Sequence, residues 1–175
     1  MSDSLQTAGG QHRSGPVGYL LAWLARALTL FGGLILLVMM TLLVVSVTGR
    51  YLLDSPVQGD FELVQIGCAI CVTAFLPYCQ LQRGHVIVDF FTMRLSARHR
   101  RWLDVLGALL LAAAAALLAW RMALGAWGVK EAREASMILD LPIWWGYALM
   151  VPSFALLAAV ALHTAWTQAT GAQKR

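Results

Sequence analysis

Four apolar runs, each long enough to cross a bilayer, leave this chain very few folds. Ala27 to Thr48 carries no charge over about 22 residues, and Leu63 to Leu81 carries none over about 19. Val105 to Trp120 is uncharged and can continue past Arg121 to Trp127, while Ile143 to Trp166 adds about 24 more uncharged residues. At 1.5 Å per residue, about 20 helical residues cross a roughly 30 Å hydrocarbon core. Lipid offers no partner for a backbone amide, so such runs must satisfy their own hydrogen bonds as helices. The expected fold is an all-α integral membrane protein with four transmembrane helices. The spans are expected at about 27–48, 62–81, 102–127 and 143–166, within a transmembrane domain over residues 19–168. Composition agrees: 59% of residues are hydrophobic and 13% charged, about half the charge of a soluble domain.

The first run is too long for the apolar segment of a signal peptide, and no A-x-A site follows it. The preceding stretch, residues 1–18, is rich in Gly, Ser and Gln and reads as a disordered tail. Residues 169–175 form a second short tail. Pro77 and Pro152 fall inside spans two and four, where kinks are expected.

Positive charge sets the orientation. Arg83, Arg94, Arg98, Arg100 and Arg101 lie between spans two and three, five of the chain's thirteen Lys and Arg. With Arg13, Arg26, Lys174 and Arg175 that side holds nine, against Arg50, Lys130 and Arg133 on the other. Both termini and the second loop are therefore expected in the cytoplasm. Trp23, Trp102, Trp127, Trp144, Trp145 and Trp166 fall at the expected helix ends, where amphipathic rings settle. Arg26 and Arg121 lie near span ends and can snorkel.

The connecting loops carry structure too. From Val86 to Ser96, Asp89, Thr92 and Ser96 share one helical face, with Val88, Phe90, Phe91 and Leu95 elsewhere on the wheel. This spacing predicts a short helix lying in the cytoplasmic interface. Ser96 then suits the N-cap of span three. The third loop reads as a helical continuation of span three, with Lys130 and Glu134 paired at i,i+4, and Pro142 suits the first turn of span four.

No nucleophile, metal-ligand set or phosphate loop is visible, which argues against an enzyme and against a bound cofactor. Cys68-x-x-Cys71 lies inside a span, where thiols pack as small hydrophobes. His12, His85, His99 and His163 offer no pair at one depth on two spans, as a haem would need. A net charge of +4 gathered in one loop marks membrane anchoring, not nucleic-acid binding. The span centres lack the ionisable groups usual in coupled transporters. Gly32-Gly33, Gly67, Gly107 and the run Ala112 to Ala116 offer small faces for close helix approach, within the chain or with a partner. Asp60 and Glu62 face Arg50 across the first loop as a charged group, either unpaired or bound to Arg50 or a partner chain.

Several local patterns then align. Gly49-Arg50-Tyr51 closes span one, and Pro56 precedes Glu62-Leu63 at the start of span two. Gly84-His85-Val86-x-Val88-Asp89 follows span two, and Leu139-x-Leu141-Pro142-x-Trp144 opens span four. In order and spacing, over residues 20–167, the chain resembles the small, DctQ-like permease subunit of tripartite ATP-independent periplasmic (TRAP) transporters. That resemblance implies a bacterial inner-membrane protein with two partners, a large DctM-like permease subunit and a periplasmic DctP-like solute-binding protein. It implies sodium-coupled symport of an organic acid, such as a C4-dicarboxylate, with the sodium and substrate sites in the large subunit. The small subunit would be a scaffold that helps dock the binding protein. The positions it singles out are Arg50, Tyr51, Glu62, His85, Asp89, Pro142 and Trp144. A haem- or quinone-associated anchor of an electron-transfer complex is the alternative, and an independent small channel or exporter is a third.

Overall fold

A computed structural model of the chain describes residues 15–53, 58–82 and 97–170. Four helices run through them: α1 (Gly15–Leu53), α2 (Asp60–Leu81), α3 (Ala97–Glu131) and α4 (Trp144–Thr170). All four are long and apolar enough to cross a membrane. The chain is a multi-pass, all-α membrane protein.

The helices overrun the apolar runs that announce them. α1 starts at Gly15, twelve residues before the uncharged run, with Pro16 in its first turn. Proline costs nothing there, because the first amides of a helix have no intrahelical partner. At 39 residues α1 is about 58 Å long, well beyond the hydrocarbon thickness. Trp23 therefore sits within α1 and not at its end. The expected interfacial helix at Val86 to Ser96 lies outside the described residues. Pro77 and Pro152 are both held within continuous helices.

The helices stand in a row. α3 packs on α4, α4 on α2, and α2 on α1, while α1 meets α4 only slightly. Among the described residues α1 and α3 thus form the two edges. Small residues set the close approaches. Gly32 of α1 faces Ala74 of α2, and the Cys71 thiol donates to the Gly32 carbonyl at 3.2 Å. Gly67 admits Met39, and Gly146 of α4 meets Ile66. At the α3–α4 contact Ala115, Phe154 and Leu157 are buried, flanked by Leu111, Ala119, Met122 and Met150. The threonine hydroxyls of Thr29, Thr41, Thr73 and Thr164 bond back to carbonyls of their own helix.

Candidate functional site

Among the described residues, the carboxylates of Asp60 and Glu62 take hydrogen bonds from other elements at one end of the row, where α1 finishes, α2 begins, and the α3–α4 connection turns. That connection is not the helical continuation the sequence suggests. α3 stops at Glu131, and the turn closes with two bonds: Glu134 N–H to the Val129 carbonyl at 3.2 Å, and Arg133 N–H to the Lys130 carbonyl at 3.3 Å. With Arg133 at φ 52°, this is a Schellman motif built on arginine where glycine is usual.

The helix end therefore parts Lys130 from Glu134, and their expected pairing does not form. Lys130 Nζ instead sits 5.9 Å from the ring centre of Trp127 and 5.1 Å from that of Trp144. The ammonium thus makes cation–aromatic contacts with one ring of α3 and one of α4. Trp127 also donates its indole N–H to Glu131 at 2.6 Å.

Beyond the Schellman turn the chain makes a small hairpin. Ala135 and Pro142 pair in antiparallel fashion, Ser136 N–H reaches the Leu141 carbonyl at 2.9 Å, and Ile143 N–H reaches the Glu134 carbonyl at 3.3 Å. Pro142 thus closes the hairpin just before α4, and its carbonyl accepts from Trp145 N–H.

Glu62 holds the hairpin tip. Its carboxylate accepts the Ser136 hydroxyl, Ile138 N–H at 3.2 Å and Leu139 N–H at 3.3 Å. A hydroxyl and two consecutive amides converge on one anion, as in other backbone anion cradles. Next to it, Gly59 is buried at φ 77°, and a Cβ there would lie 2.3 Å from Leu139 Cγ. Only glycine offers both this backbone conformation and this space. Asp60, in the first turn of α2, accepts the buried Ser46 hydroxyl of α1 at 2.5 Å and the Phe61 amide at 2.7 Å. Two acids two residues apart therefore tie α2 in opposite directions, one to α1 and one to the α3–α4 hairpin. Both also suit the positive end of the helix dipole.

Of the residues singled out from sequence, Glu62, Pro142 and Trp144 meet at this end. Arg50 and Tyr51 lie on the last turn of α1, exposed. Arg50 attracts Asp60 through space, while both acids take their hydrogen bonds from hydroxyls and amides. His85 and Asp89 lie outside the described residues. Sequence reasoning missed Ser46, Gly59 and Ser136, and marked Leu139 only as part of a pattern opening span four. A glycine just before two helix-opening acids was the one readable hint.

What this arrangement does is mechanical. It fixes Leu139 inward and turns Met137 and Ile138 outward, with Met137 fully exposed and Ile138 61% exposed. Among the described residues no three His, Cys, Asp or Glu side chains gather as a metal site requires. The three cysteines are free thiols.

The family model for the DctQ component of tripartite ATP-independent periplasmic transporters matches residues 39–171 of the chain. No curated protein and no solved structure matches it.

Proposed function

The chain belongs to the DctQ family of tripartite ATP-independent periplasmic transporter components, and on that premise we propose that it is the non-catalytic scaffold of such a transporter. In this reading the chain lies in a bacterial inner membrane with both termini cytoplasmic, as the nine-to-three charge imbalance supports. The Glu62 end then faces the periplasm. A large permease subunit carries the sodium and organic-acid sites, and a periplasmic solute-binding protein delivers the cargo.

The observation that carries this reading is the braced hairpin. A three-bond carboxylate anchor and a glycine-seated leucine hold a short loop still while its apolar tip, Met137 and Ile138, stands free. A loop pinned in this way presents a preformed surface to a soluble partner and loses little entropy on binding. Arg50 and Tyr51, exposed on the last turn of α1 at the same end of the row, extend that surface. His85 and Asp89 are assigned to the cytoplasmic connection, where they orient the segment leaving α2. The bilayer is the remaining partner.

The test uses the assembled transporter. Met137→Asp with Ile138→Asp is expected to weaken binding-protein docking and raise the concentration needed for half-maximal uptake, while the large subunit still co-purifies. Unchanged docking would exclude the hairpin as the contact. If Glu62→Gln and Asp89→Asn both leave uptake and co-purification unaltered, the roles given to those acids are wrong.

A further inference from the structure

α3 carries two helical seams on nearly opposite sides. One, Ala108, Ala112, Ala115, Ala119 and Met122, is buried or half-buried, with Ala115, Ala119 and Met122 in the α3–α4 core. The other runs Gly107, Leu110, Ala114, Leu117, Arg121, Leu124, Gly128, at alternating spacings of three and four, and every member is exposed. Leu110, Leu117 and Leu124 are 63%, 56% and 51% exposed, and a Cβ on Gly107 or Gly128 would meet open space. Leucine at every d position and small residues at three of four a positions is the pattern of a helix that receives another helix, knobs into holes.

Arg121 decides what covers it. Counting along the helix, it lies six residues, about 9 Å, inside Trp127. It makes no hydrogen bond or ion pair with the described residues. Side chains on a helix lean toward its N-terminus, so Arg121 tilts back over Leu117 and away from the nearer membrane surface. Snorkelling outward runs against that lean. An ionisable group on an exposed transmembrane face calls for a partner in the membrane. The exposed side of α1 has no such group between Arg26 and Arg50, and Leu34, Leu37 and Val44 there suit lipid.

We infer that the Gly107–Gly128 seam of α3 is the face that docks a transmembrane helix of the large permease subunit, with a carboxylate of that helix bound to Arg121. A second copy of this chain does not fit. Two copies inserted with one topology lie parallel, a positions then meet a positions, and Arg121 would face Arg121. Charge complementarity requires a different chain. The inference rests on the scaffold reading and goes beyond it by naming the face and the ion pair.

The experiment places a photoreactive benzoylphenylalanine at Leu117, and separately at Leu37 on α1, in the full transporter. Capture of the large subunit from Leu117 is the expected result. If the large subunit co-purifies with the wild-type chain but Leu117 captures only lipid, or a second copy of the chain, the seam assignment is overturned and the scaffold reading stands. If the large subunit does not co-purify at all, the scaffold reading fails as well. Arg121→Glu should lower recovery of the large subunit about tenfold, and Arg121→Lys should preserve most of it. Equal recovery with both variants would remove Arg121 from the interface.

Discussion

Glu62 accepts a hydrogen bond from the hydroxyl of Ser136, 74 residues further along the chain. The same carboxylate takes the amides of Ile138 and Leu139, so one side chain in the first turn of α2 fixes the tip of the α3–α4 hairpin. Glu62→Gln keeps a single acceptor oxygen and surrenders the charge that strengthens all three bonds. Amide hydrogen exchange at Ile138 and Leu139 should then quicken by about tenfold, with the α4 core unaffected. Exchange that quickens equally in α4 would mean a global effect and not a local latch.

Gly59 supplies the second half of that latch. Alanine there must adopt φ 77° and place its Cβ within 3 Å of three Leu139 carbons. The left-handed backbone alone costs about 1–2 kcal/mol. Gly59→Ala should lower the thermal midpoint in detergent by at least that equivalent. Adding Leu139→Ala should recover the steric part, so the double variant is less unstable than the sum of the singles.

Arg133 works against stability. It occupies the left-handed position of the Schellman turn at φ 52°, where a side chain is unfavourable. Arg133→Gly is expected to stabilise the chain by about 1 kcal/mol, read as a higher thermal midpoint. A lower midpoint would show that the guanidinium makes a contact worth more than the strain.

The two glycines of the α1–α2 crossing should respond differently. A Cβ on Gly32 would lie 2.9 Å from the Cβ of Ala74, which cannot yield without moving a helix. One on Gly67 would meet the Sδ and Cγ of Met39 at 2.6 and 2.7 Å, atoms of an unbranched side chain that can change rotamer. Gly32→Ala should cost about 1–3 kcal/mol, and Gly67→Ala should stay under about 1 kcal/mol. Equal losses would contradict the packing described.

The spans were legible because about 20 uncharged residues have one stable solution in lipid. The helix ends themselves were not. α1 begins at Gly15 because nothing polar in Pro16 to Arg26 breaks a helix, although the hydropathy falls there. α3 ends at Glu131 through backbone hydrogen bonds that no side-chain pattern announces. Glu62 stood out as an acid at the mouth of a span, with Arg50 the obvious suitor from loop charge alone. Its actual partners are a serine and two amides from a hairpin, groups that have no sequence signature. Ser46 was equally silent, one hydroxyl in an apolar run whose value depends on Asp60 arriving beside it.

We propose that this chain holds a transporter together without itself moving cargo. Proteoliposomes containing the large permease subunit, the binding protein and this chain, each also omitted in turn, test it directly. Sodium-dependent uptake of the organic acid should require all three and vanish when this chain is left out. Uptake by this chain alone, or undiminished uptake without it, would show that the chain is not such a scaffold.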